Sequence, residues 1–187
     1  VCPRGYEGHL TVPDEIGGIV SSAFAGCEKL TRVTLQSGLE TVPSYAFFSC
    51  VALEQVDLPA GLQSIDNWGF LQCQSLEFIE FPESLEYIGV AAFFECLSLS
   101  EITIPHRVTA VGGGAFQGCV ELSKVVFEGH APTMSIETFD GAASGFSIFY
   151  RPGSEGFSSP LWLGYLCEML PNHTPVMAGI GNREVVL

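Results

Sequence analysis

"LEFIEFPESLEYIGVAAFFEC", residues 76–96, decides how the chain is read, because its parts return every twenty-three residues. Units 28–50, 51–73, 74–96 and 97–119 align without insertion on the pattern L-x-x-V-x-L-P-x-x-L-x-x-I-x-x-x-A-F-x-x-C. The phenylalanine column is unbroken: Phe24, Phe47, Phe70, Phe93, Phe116 and Phe139. A cysteine follows at Cys27, Cys50, Cys73, Cys96 and Cys119, with Ala142 in that slot of the next unit. Internal repetition at such a period marks a stacked array, since no single unit can bury its own apolar face.

Each column has a physical reading. The V-x-L step alternates with period two, so it predicts a short strand with both apolar residues turned inward. Proline at Pro13, Pro59, Pro82 and Pro105 ends that strand without costing an interior ladder its donor. The L-x-x-I step turns the chain back, and A-F-x-x-C is expected to make one helical or 3₁₀ turn. Stacked, these units predict an α/β repeat: a right-handed solenoid with one parallel sheet, short helical turns opposite it, and a C-terminal cap. The expected division is an array over 1–142, its first and last units degenerate, and a cap with tail over 143–187. Within the latter, Ile148 and Tyr150 align with Val125 and Phe127 and should add a strand; "GFSSPLWLGY" should fold over the last repeat.

The pattern resembles the BspA-like, treponemal-type leucine-rich repeat class, over about residues 5–142. The more familiar leucine-rich repeat carries Asn after its strand; here Gly38, Gly61, Ser84 and Arg107 stand near that place, which fits this class. The stretch from Tyr150 to Trp162 also resembles the closing segment of such arrays. The resemblance implies a secreted or surface-attached protein concerned with adhesion and partner binding.

The five periodic cysteines are open to three readings: a metal cage, disulfides, or a buried column. A metal needs thiolates converging on one point, whereas stacking spreads them along a line at about 4.8 Å per step. Parallel side chains do not face one another for pairing. A structural ladder of small apolar thiols beside the phenylalanines is the expectation. Cys2 and Cys167 fall off this ladder, near opposite ends of the array. They read as end-packed thiols, with a bond to another molecule as the alternative.

Twenty-one acidic residues against seven basic ones give a net charge of −14, which repels nucleic acid and anionic membrane surfaces. No apolar run is long enough to insert across a bilayer. The chain opens on Val1 with no signal segment, which reads as a processed form or a fragment. Four histidines, His9, His106, His130 and His173, form no metal-binding pair. "VGGGAF", Val111 to Phe116, lacks the Lys-Ser/Thr of a phosphate loop and reads as a repeat turn. No catalytic constellation, metal site or cofactor motif emerges, so no enzyme is expected.

Two surfaces remain as candidates. The outward positions of the strands gather Glu54, Asp57, Glu77, Glu80 and Glu101 around one aromatic, Phe78. Curved arrays bind partners on this face, and an aromatic within a polar rim suits a hot spot. A merely solvated acidic face competes with that reading, as does calcium, which lacks its loop motif. On the outer side, Tyr45, Phe48, Trp68, Leu71 and Phe94 are either an exposed patch or a half-buried covering. The expected function is a non-catalytic module binding a protein, or a glycan, through the acidic strand face. The rival is a structural subunit docked by the outer aromatics and the C-terminal tail. Asn172-His173-Thr174 matches a glycosylation triplet weakened by Pro175.

Overall fold

The structure, a computed structural model, describes residues 6–171; the expectations for Cys2, for the 172–187 tail and for the Asn172 triplet lie outside those residues. Each unit supplies a strand to one face: β1 Gly8–Thr11 and β2 Leu30–Thr34. A two-residue β3, Thr41–Val42, lies on a second face, and the alternation then repeats. Strand-face β4 Gln55–Asp57 precedes β5 Ser64–Ile65, and β6 Phe78–Ile79 precedes β7 Tyr87–Ile88. The next pair is β8 Glu101–Ile104 and β9 Ala110–Val111, followed by β10 Lys124–Phe127 and β11 Ser147–Tyr150. Last come β12 Leu161–Trp162 and β13 Tyr165–Met169. The result is a parallel β-solenoid in the register that the repeat dictates: Val33 opposite Val56, Val56 opposite Ile79, and Val125 opposite both Ile102 and Ile148.

Two expectations need correction. The single parallel sheet is three: strand-face ladders β1-β2-β4-β6 and β8-β10-β11-β13, the latter edged by antiparallel β12, and a separate ladder β3-β5-β7-β9. The L-x-x-I step therefore does more than turn the chain, since its isoleucine column builds a sheet of its own. The helical turns are also absent among the described residues. Their backbone is taken up otherwise: Phe47 N–H donates to Gly69 C=O and Ser49 N–H to Leu71 C=O, both at 2.8 Å in the next coil. Ser49, Trp68, Gln72 and Glu95 adopt positive φ and send their N–H groups to carbonyls of the next coil, while alternate residues such as Phe48 and Cys50 keep local bonds to Tyr45 and Phe47 C=O.

The core is the interior of the coil. Phe47, Phe70, Phe93 and Phe116 are fully buried. Their rings, with Phe24 and Phe139 at the ends, stack with centroids 5.0–5.6 Å apart and planes within 16°. That is the offset-stacked spacing aromatic faces prefer. The leucine and isoleucine columns surround them, with Leu53, Leu62, Ile65, Leu76, Leu85 and Ile88 fully buried. At the first unit the columns loosen: Ile16 is 47% exposed, since no earlier coil covers it among the described residues.

The cysteine column is structural from Cys50 onward. Cys50, Cys73, Cys96 and Cys119 are free, buried thiols, each donating to a phenylalanine carbonyl of the coil before, at 3.0–3.3 Å. Cys27 departs from the expectation: it is disulfide-bonded. Cys167 is a buried free thiol opposite Ile148, in the inward column of the strand face. Ile148 and Tyr150 pair with Val125 and Phe127 as their alignment predicts. Trp162, buried, packs its ring against Phe127 and Phe157 at 5.7 and 4.7 Å.

Candidate functional site

Parallel register lines up outward side chains across the strand face. His9, Arg32, Gln55 and Phe78 form one row, and Thr11, Thr34 and Asp57 the next. Across β8, β10 and β11 the rows continue as Glu101, Lys124 and Ser147, and as Thr103, Val126 and Phe149. All six residues expected on this face are there, but their charges are not equivalent.

Asp57 is occupied. Arg32 grips both carboxylate oxygens, with Nη2 2.9 Å from Oδ2, while Thr34 Oγ1 donates at 2.7 Å and Gln55 Nε2 at 3.0 Å. Partial burial opposes ionisation there, but the donors from Thr34, Arg32 and Gln55, with the Arg32 charge, hold the carboxyl below its ordinary range. Glu101 is paired with Lys124 at 3.2 Å. Among the described residues, Glu54, Glu77 and Glu80 have neither an ion pair nor a side-chain hydrogen bond. Phe78 stands among them, 56% exposed.

Beneath Phe78 the sheet comes apart. The β4–β6 ladder ends at Val56–Ile79, and β6 and β8 lie side by side without ladder pairing. Glu80 and Phe81 exchange no backbone hydrogen bond with either neighbouring coil. A hollow results on each side of β6, of about 350 and 390 Å³. Leu58 and Phe81 line the first, Phe81 and Ile102 the second, and carboxylates rim both. The repeat assigned these three apolar residues to the core, so sequence reading passed over them as contact residues. Nothing in a column pattern signals where a ladder opens.

The outer surface resolves toward a covering with one exposed member. Phe48, Trp68, Leu71 and Phe94 are half-buried, and Tyr45 is 36% exposed. Tyr45 stacks on Trp68 at 4.9 Å and meets Phe48 edge-on at 6.0 Å. The glycine run belongs to packing: a Cβ on Gly112 would lie 2.3 Å from the Val90 nitrogen of the preceding coil. Burial drives the Cys50 and Cys119 thiols up to about 12, and Cys73 and Cys96 well above the ordinary thiol range. Among the described residues no three His, Cys, Asp or Glu side chains are placed to hold a metal ion, and no helix is long and apolar enough to cross a membrane.

Comparisons with known proteins agree with this geometry. A family profile described as the BspA type leucine rich repeat region matches residues 8–145 in six copies. The chain is similar to the crystal structure of a Treponema pallidum leucine rich repeat protein, at 30% identity and a TM-score of 0.65, covering 78% of this chain and 74% of that one. It is also similar to a leucine-rich repeat protein from Bacteroides ovatus, at 27% identity and a TM-score of 0.64, over 87% of this chain and 45% of that one. A leucine rich cell surface protein from Faecalibacterium prausnitzii shares the fold at 19% identity, with a TM-score of 0.55, over 87% of this chain and 56% of that one. The chain thus spans about half the length of the latter two. No curated protein sequence matches it. The period, the stacked phenylalanines and the matched residues place the chain in the BspA-type leucine-rich repeat family, whose repeats suggest an interaction or scaffold role.

Proposed function

We propose that the chain is a non-catalytic interaction module, at the cell surface or secreted, that engages a protein partner through the strand face around Phe78. One observation carries this reading: a large aromatic held 56% exposed on the strand face, ringed by Glu54, Glu77 and Glu80 that have no partner among the described residues. An exposed apolar side chain alone is ordinary, but a large aromatic within a polar rim on the strand face has the composition of a binding hot spot. The likeness to a cell surface protein supports the location.

Gentle affinity capture from the native source tests it, using the natural chain beside a form carrying Phe78→Ala and Glu77→Lys. Both positions are exposed, so the fold should survive the changes. A partner retained by the natural chain and lost by the variant supports the module. A fixed set of subunits held equally by both favours the second reading, a structural component. The Tyr45–Trp68 stack, set apart from the strand face, is the observation behind that alternative.

A further inference from the structure

The strand face is more than a place of contact; its shape and charge select a chemistry. Two hollows flank β6, separated by the ridge of Phe78; Leu58 and Phe81 line one and Phe81 and Ile102 the other, among polar side chains, with Phe81 and Ile102 largely buried at the base. The carboxylates around Phe78 divide into satisfied and unsatisfied groups. Asp57 answers to Arg32, Glu101 to Lys124, and Glu83 to His106. Glu54, Glu77 and Glu80 answer to nothing among the described residues. Glu80 rims both hollows, while Glu54 and Glu77 border the adjoining depression that Phe78 shares with them, so three unpaired carboxylates surround an exposed aromatic.

We infer that the occupant of this face is an extended, basic segment of another protein, laid across the strands with apolar side chains in the two hollows and Lys or Arg over Glu54, Glu77 and Glu80. The inference rests on the interaction-module reading and names the partner's chemistry. Charge complementarity decides between occupants. A second copy of the chain would bring another surface of a molecule with net charge −14 against this one, and the like charges repel. Nucleic acid and anionic lipid are repelled in the same way. A basic segment gains from all three free carboxylates, and its apolar side chains give Phe78 the cover it lacks. An extended conformation suits two hollows set one strand apart on either side of a ridge, since alternate residues of an extended chain point to the same face.

Fluorescence anisotropy with three short labelled peptides tests this: one alternating Lys and Leu, one alternating Lys and Gly, one alternating Glu and Leu. The Lys-Leu peptide should bind saturably and lose affinity as salt rises. The Lys-Gly peptide should bind at least about tenfold more weakly, and the Glu-Leu peptide not at all. Phe78→Ala should weaken the Lys-Leu peptide about tenfold. The combined Glu54→Gln, Glu77→Gln and Glu80→Gln variant should flatten its salt dependence. Equal binding of Lys-Leu and Lys-Gly peptides, or indifference to Phe78→Ala, overturns the inference, since general attraction to an acidic protein would explain the result. The capture experiment separates the two levels. A partner that is lost with the strand-face variant but presents no basic segment refutes this inference and leaves the module standing, while a partner set indifferent to that variant removes the module.

Discussion

The thiol of Cys73 donates to the carbonyl of Phe47 at 3.2 Å, one coil back, and the same bond joins Cys96 to Phe70 and Cys119 to Phe93. The cysteine column and the phenylalanine column are thus one device. Each phenylalanine carbonyl already accepts the N–H of the cysteine in its own coil, Cys50 N–H on Phe47 C=O at 3.2 Å for one, and the thiol of the next coil adds a second donor that ties neighbouring coils together.

Their energetic weights differ. Phe70 is fully buried and stacked on both sides, at 5.0 and 5.2 Å. Phe70→Ala should cost about 3–5 kcal/mol from lost transfer energy and the cavity left behind. Cys73→Ala removes one sulfur and a weak hydrogen bond and should cost about 1 kcal/mol. Urea denaturation of both variants checks the ranking; equal losses would contradict it.

Gly112 and Gly113, neighbours in sequence, should respond oppositely to an added methyl. At Gly112 a Cβ would meet Val90 backbone at 2.3 Å, so the coils must part. At Gly113 the nearest atom is Ser135 Oγ at 3.7 Å, an ordinary contact. Gly112→Ala should lower stability by more than about 2 kcal/mol through overpacking against backbone. Gly113→Ala should be close to neutral, and thermal melts distinguish the two.

Asp57 sets a pH dependence. Its carboxyl is held below the ordinary 3.8, so the folded state favours the ionised form. Stability from this source is complete above the unfolded value of about 3.9 and is lost as pH falls through the lower folded one. The gap in denaturation midpoint between the natural chain and Asp57→Asn should be largest at neutral pH and close as the medium falls below about pH 4. A gap that widens on acidification would reverse the assignment.

Thiol chemistry gives a separate check on the core. Cys50 and Cys119 are raised to about 12 by burial, and Cys73 and Cys96 are held well above the ordinary thiol range. At pH 8 these four should react with an aromatic disulfide reagent only as fast as the array opens. Denaturant should release them together. Rapid reaction of any one in the native protein would mean a gap in the stack.

Columns of apolar residues proved legible because solenoid stacking converts sequence period directly into spatial contact: Phe47, Phe70 and Phe93 could be placed against one another before any coordinate was known. The strand register, down to Ile148 and Tyr150, followed for the same reason. The outer turns were misread because A-F-x-x-C fits a helical turn by local spacing. Its alternate donors, Phe47 and Ser49 N–H for example, go to the next coil while Phe48 and Cys50 keep local turn bonds, a division that a single unit cannot reveal. The two hollows were hidden for a related reason. Glu80 and Phe81 occupy ordinary positions of the repeat, and only the geometry of neighbouring strands shows that their ladder has ended. Which glutamates are free also depends on Arg32 reaching Asp57 from the adjacent coil, a choice among several nearby acids.

That opening between β6 and β8 is confined to one side of the coil. Across the same boundary, Tyr87 pairs with Ala110 in the second ladder, Phe93 N–H donates to Ala115 C=O at 2.8 Å, and the Phe93 and Phe116 rings stack at 5.2 Å. The two halves of the array are therefore bound along the back and unlaced at the front, like a book on its spine. At the rim of the furrow beside Phe78 a side-chain contact, Glu83 to His106 at 2.9 Å, crosses this boundary in place of ladder bonds. The furrow thus lies where the strand-face ladder lapses, and Glu80 is the carboxylate on its rim with no ion pair among the described residues.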